Sequence, residues 1–191
     1  MKKVPNLLDL YKLIKENKVS AYTIYVDMDG VIADFDQRFL DLAKMTPNEY
    51  KDKHGIQKFW DFIDEENKVT FWTGIPVMDG AKNLIDYVSK YDYEILTAPS
   101  IKKQSEEGKK IWLRDINPNL FPNTPKLNFK SSKEKHLIKP TLTKNDILID
   151  DRGTTIDTWE AAGGTGIKYT SAGQAIKDTK EAIKLLKNSE L

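Results

Sequence analysis

The chain has 191 residues, 39% of them hydrophobic, which suits a single soluble globular domain carrying a modest insertion. Thirty basic residues against twenty-nine acidic ones leave a net charge of +1, so no global field draws the chain to a nucleic-acid polymer and any anion site must be local. Cysteine is absent, which excludes disulfides, thiolate nucleophiles and thiolate metal sites, zinc sites among them, and fits a reducing, cytoplasmic setting; no window approaches the roughly 20 apolar residues that span a membrane.

Residues 6–16 place apolar side chains at helical spacing, an accessory helix ahead of a strand over Tyr22–Val26. A helix is predicted over Asp36–Lys44, and Thr46-Pro47-Asn48-Glu49 reads as the start of another, with Thr46 as cap and Pro47 in the first turn. From there to about Gly74 the chain is rich in charges and aromatics. An amphipathic helix over Ala81–Tyr91 then feeds a strand over Tyr93–Leu96. Lys102–Leu113 reads as a helix, Lys126–Phe129 as a short strand, and Asp146–Ile149 as a strand that ends at Asp150-Asp151. A helix over Thr155–Ala162 leads through Gly163-Gly164-Thr165-Gly166 to a strand over Ile167–Tyr169, and a closing helix spans Ala172–Lys187. Strands alternating with helices predict an α/β fold: a parallel sheet sandwiched by helices, Rossmann-like, with ligands gathering at the carboxyl ends of the strands.

Polar residues stand at three of those ends. The first strand runs into Asp27-Met28-Asp29-Gly30, two carboxylates one residue apart with a glycine where the backbone must turn. Residues i and i+2 of a strand share a face, so Asp27 and Asp29 can address one site, and two such anions repel unless a cation or proton separates them. A hard dication such as Mg²⁺ suits all-oxygen ligands and would let an anionic phosphate approach. Thr97 follows the next strand, where the plain alternative is a turn cap. Asp150 and Asp151 follow a third.

These motifs, Asp27-Met28-Asp29-Gly30-Val31, Ile95-Leu96-Thr97 and Ile147-Leu148-Ile149-Asp150-Asp151, resemble those of the haloacid dehalogenase-like superfamily of aspartate-nucleophile phosphohydrolases. The resemblance implies that Asp27 attacks phosphorus, Asp29 serves as acid and then base, and Thr97 donates its hydroxyl to phosphate. It also implies that Mg²⁺ is held by Asp27, the backbone carbonyl of Asp29 and Asp150, with Asp151 in support. The family's lysine falls in Phe129–Ile138, where Lys135 is preferred and Lys133 stands two residues away.

Within the superfamily, the runs Asp27–Phe35, Leu148–Arg152 and Trp159–Gly164 are most similar to the 5'(3')-deoxyribonucleotidases. That likeness implies a small helical cap inserted after the first strand, residues 35–74, on a core of residues 1–34 and 75–191. Phe59, Trp60, Phe62, Phe71 and Trp72 crowd into this span. Aromatic faces stack on bases, and they also build cap cores; at least half of these are expected to do the latter. Substrate contacts are expected from Phe59, Trp60, Phe71, Trp72, Ala98 and Arg152. Two differences from the family pattern stand out: Ala98 occupies a position commonly held by serine, and the interval from Lys135 to Asp150, with Lys139-Pro140-Thr141 inside it, is longer than usual. The expected partner is a small phosphomonoester, in the first instance a deoxynucleotide; a sugar phosphate is the alternative, and a receiver-like or catalytically silent Mg²⁺-binding module is a more distant one. Monomer and homodimer both remain open.

Overall fold

Runs of β-branched and aromatic residues form one parallel five-stranded sheet in the computed structural model, which describes residues 21–189. The helix expected over residues 6–16 lies outside the described residues. β1 (Thr23–Val26), β2 (Asp92–Thr97), β3 (Lys126–Phe129), β4 (Asp146–Asp150) and β5 (Thr165–Lys168) are ordered β3-β2-β1-β4-β5. In register, Val26 stands beside Ile95 on one side and Ile149 on the other. Ile24, Val26, Ile95, Ile147 and Ile149 enter the larger core, while Tyr25, Leu96 and Leu148 enter a smaller one with Trp159. This is the period-two alternation of a strand with both faces covered, which is why β4 is buried at every position.

Four helices fill the stretch between β1 and the unit that leads to β2: α1 (Phe35–Ala43), α2 (Pro47–His54), α3 (Ile56–Asp61) and α4 (Lys68–Thr73). Asp34 caps α1 by accepting from the Gln37 amide at 3.0 Å. Thr46 and Glu49 satisfy each other's backbone amides at the start of α2, the reciprocal arrangement that frees neither donor. Phe39 sits at the centre of this segment, 4.9 Å from Phe59 and 5.2 Å from Phe62 between ring centroids. Burying a side chain of this size contributes about 1.5–3 kcal/mol. Arg38 ties the two ends of the segment together, donating to the carbonyls of Phe71 at 3.2 Å and Thr70 at 2.8 Å.

The remaining helices are α5 (Ala81–Val88), α6 (Lys103–Ile111), α7 (Gly153–Ala161) and α8 (Ala172–Ser189). Several boundaries differ from expectation for local reasons. α5 stops at Val88, where the Tyr91 amide folds back onto the Val88 carbonyl. α6 passes into a π-helical turn, Trp112–Ile116, because both the backbone and side-chain amides of Asn117 reach the Trp112 carbonyl. A second π-helical turn, Phe62–Asn67, joins α3 to α4. β5 starts at Thr165, ahead of the expected Ile167: Gly166 is a strand residue whose missing side chain lets Ile156 of α7 approach, since a Cβ there would lie 2.5 Å from Ile156 Cγ2.

β1 is central, and the chain moves from it first towards β3 and later, through β4, in the opposite direction. The reversal falls between β1 and β4, and ligands of open parallel sheets bind outside the carboxyl ends at such a point.

Candidate active site

The β1 ladder continues one residue past the strand, the Asp27 amide donating to Ile149 at 2.9 Å, and then the backbone closes around a single carbonyl. Met28 O accepts from the amides of Val31, Ile32 and Ala33, and Gly30 takes φ +77° to allow it. A Cβ on Gly30 would lie 2.6 Å from Asp151 Oδ2, so glycine is required both by the turn and by the approach of Asp151.

Asp27, 6% exposed, accepts from the Met28 amide and pairs with Lys135 Nζ at 2.8 Å. The same ammonium lies 2.7 Å from Asp150 Oδ2. Lys135 is 1% exposed, whereas Lys133 is exposed, so the structure brings the former to the carboxylates and leaves the latter outside. Burial works against charge on Lys135, but Asp27 and then Asp150 outweigh it and hold the ammonium above the ordinary lysine range. The longer interval that follows is taken up by a 3₁₀ turn, Lys135–Ile138, and a pair between Lys139 and the buried Asp146 at 2.6 Å.

Asp27, Asp150 and Asp151 each offer an oxygen within 4.8 Å of the others. Desolvation, then Asp27, raises the Asp150 pKa; the same two causes, with Asp150 added, push Asp151 up to about 6. Asp151 Oδ1 is buried with no hydrogen-bond partner among the described residues. Three carboxylates against one ammonium, with an oxygen left over, form an all-oxygen donor set that fits a hard divalent cation.

Asp29 stands apart from this cluster. Its Oδ2 pairs with Lys109 Nζ at 2.6 Å, and Lys109 also donates to Thr97 Oγ1 at 2.8 Å and to the Ala98 carbonyl at 2.7 Å. Desolvation raises the Asp29 pKa, Lys109 opposes it, and Asp27 adds to it. Lys109 is fully buried and is the residue that sequence reasoning missed. It lies in a run of charges that resembles a solvated helix face. The available signal was spacing: Ser105, Gly108, Lys109 and Trp112 recur at i, i+3, i+4 and i+7, and all four are buried.

A cavity of about 580 Å³ opens beside these groups. Of the expected substrate contacts, Phe59, Trp60, Trp72, Ala98 and Arg152 line it, as does Asp29. Phe71 does not. Its ring is wholly buried against Phe35 at 5.2 Å, so its place is in the packing. Trp60 and Phe35 are half-buried and present aromatic surface to the cavity. Arg152 donates to Ser132 Oγ at 3.1 Å across the rim. Ser100 does not supply the hydroxyl that Ala98 lacks, because its Oγ donates to Asp64 at 2.9 Å.

No protein-family model matches the sequence, and no curated protein matches it. Among solved structures, a haloacid dehalogenase-like family hydrolase from Xanthomonas campestris aligns at 11% identity with a TM-score of 0.55, over 87% of this chain and 93% of that one. The two share a fold. D,D-heptose 1,7-bisphosphate phosphatase from Burkholderia thailandensis aligns at 9% identity with a TM-score of 0.47, over 86% and 98% of the respective chains. A HAD family enzyme from Bacteroides thetaiotaomicron, a magnesium complex, aligns at 14% identity with a TM-score of 0.47, over 78% and 92%. Among the described residues, no helix is long and apolar enough to cross a membrane.

Proposed function

We propose that the protein is a magnesium-dependent phosphomonoester hydrolase that works through an aspartyl-phosphate on Asp27, and that its substrates are deoxyribonucleoside monophosphates. The observation that carries this reading is the buried Asp27–Lys135–Asp150 arrangement, with the orphaned Asp151 oxygen beside it, at the sheet's switch point next to an open cavity.

An Asp27 oxygen attacks phosphorus in line as the ester P–O bond breaks, and the departing alkoxide takes a proton from Asp29. Water then attacks the acyl phosphate, gives its proton to Asp29, and frees the Asp27 carboxylate as inorganic phosphate leaves. Lys135 offsets negative charge at the transferring group throughout. Thr97 Oγ1 accepts from Lys109, which leaves its own hydrogen to donate to a phosphate oxygen. Mg²⁺ held by Asp27, Asp150 and the Asp29 carbonyl, with Asp151 in support, would neutralise enough charge for an anionic ester to enter.

In this reading residues 35–74 are a cap over a core of residues 1–34 and 75–191. The cavity's volume suits a small ligand, and its half-buried aromatic faces, Trp60 and Phe35, suit a base, with stacking worth roughly 1–3 kcal/mol. The lack of cysteine fits a cytoplasmic setting.

The test is Mg²⁺-dependent phosphate release from a panel of deoxynucleoside, ribonucleoside and sugar monophosphates, with Asp27→Asn alongside. Release from deoxynucleotides, lost in Asp27→Asn and in chelator, is expected. Release from sugar phosphates alone would overturn the substrate, and none from any ester would overturn the activity.

A further inference from the structure

We infer that Lys109 is the positioning residue for Asp29, holding its carboxylate at Oδ2 in one orientation beside the cavity, and that Trp72 seals this lysine in place. The assignment rests on the phosphomonoesterase reading above.

Lys109 has three N–H donors and spends all of them: on Asp29 Oδ2, Thr97 Oγ1 and the Ala98 carbonyl. Its side chain is fully buried, so no water competes for those bonds. Its ammonium also sits 5.0 Å from the Trp72 ring centroid. The preceding residue allows this close approach, because a Cβ on Gly108 would lie 2.4 Å from Trp72 Cβ. α6 therefore abuts Trp72 with no room for a side chain between them, and Trp72 belongs to α4, in the inserted helical segment. The chain of contacts runs from that segment through Trp72 and Lys109 to Asp29.

Asp29 needs such a restraint. The Lys135 ammonium attracts it towards the neighbouring cluster while Asp27 repels it, and the bond to Lys109 at 2.6 Å holds the carboxylate on its own side. With Oδ2 tied to Lys109, the remaining oxygen, Oδ1, is buried and has no partner among the described residues. The exposed part of the Asp29 side chain lies on the side of the held oxygen, at the cavity it lines, so Lys109 fixes the carboxylate where a leaving alkoxide and an attacking water would meet it. Thr97 is fixed by the same ammonium, so the acid and the phosphate donor share one anchor.

The readout is dependence on the leaving group. Lys109→Met is compared with the wild type on the alkyl phosphate that the wild type hydrolyses fastest and on p-nitrophenyl phosphate, whose phenolate leaves without a proton. With Asp29 unanchored, kcat on the alkyl ester should fall by roughly 100-fold, while any rise in KM from the loosened Thr97 should be the same for both esters. On the aryl ester the first turnover should survive as a burst of nitrophenolate stoichiometric with enzyme, followed by slow turnover, because Asp29 still has to activate water. Lys109→Gln, which keeps donors for Thr97 and Ala98 but not the charge, serves as the second variant should Lys109→Met fail to fold. Equal losses on both esters without a burst, or full alkyl turnover in either variant, would overturn the assignment alone. A wild type inactive on every ester would overturn the phosphatase reading and this assignment with it.

Discussion

Replacing Lys135 with methionine removes the ammonium that pairs with both Asp27 and Asp150 but keeps the length of the side chain. In the native protein both contacts are short, 2.8 and 2.7 Å, and all three side chains are under 10% exposed. Removing one partner of a buried pair costs about 3–5 kcal/mol, because the other charge stays buried without compensation. At roughly 2–4 °C per kcal/mol for a chain of this size, Tm should drop by roughly 6–20 °C. The loss should depend on pH in a defined direction. Burial and Asp27 already raise Asp150, and without Lys135 its folded pKa rises further above the unfolded value. The folded variant then binds protons that the unfolded chain does not, so its stability recovers on acidification and is lost as pH rises through the folded pKa. Urea and thermal melts of metal-free wild type and variant at about pH 7.5 and about pH 5.5 would show the gap narrowing in acid. A deficit below about 1 kcal/mol at the higher pH, the size found for solvent-exposed pairs, would refute the reasoning.

Gly30→Ala should cost about 1–2 kcal/mol from the left-handed backbone alone, and should also weaken Mg²⁺ binding, because the new Cβ falls on Asp151; calorimetric titration with Mg²⁺ and a thermal melt check both, and an unchanged melt would contradict the geometry. Asp64 is buried, and desolvation leads the causes that raise its pKa. Its stabilising contribution is therefore complete below the ordinary carboxylate pKa and lost as pH rises through the raised folded value. Asp64→Asn, which keeps an acceptor for Ser100, should be at least as stable as wild type at neutral pH, with the advantage vanishing towards about pH 4 in melts; an advantage that grows in acid would contradict this. Trp60→Ala and Phe71→Ala should separate binding from packing. The first should raise KM for nucleotides with Tm nearly unchanged, and the second should destabilise by about 3–5 kcal/mol in denaturant melts.

The alternation of strands with helices and the acidic strand ends were legible because an apolar strand that closes on carboxylates is expensive unless something uses them, and the period of each run identified it as strand or helix. The closing glycines after α7 were harder, since Gly166 reads as a turn and its role as clearance for Ile156 is a tertiary fact. Aromatic composition could not separate Phe71 from Trp60, because exposure is decided by which rings Phe35 and Phe39 cover. Lys109 escaped for the complementary reason. Its charge argues for solvent, and only the company of Ser105, Gly108 and Trp112 on one helical face argues otherwise.

The central place of β1 also has a consequence for biosynthesis. Its partners on the two sides, β2 and β4, end at Thr97 and Asp150, so the strand that leads into Asp27 comes first of the five but is not flanked on both sides until β4 is made. Until about residue 150 has emerged, one edge of β1 and its isoleucine and valine side chains lack their cover, a long-range pairing of the kind that folds slowly and exposes the chain to aggregation. A ribosome stalled shortly before β4 would therefore hold a chain with Asp27 and Asp29 already made but no complete site, and truncation ahead of Asp150 should abolish the site together with the β1–β4 pairing.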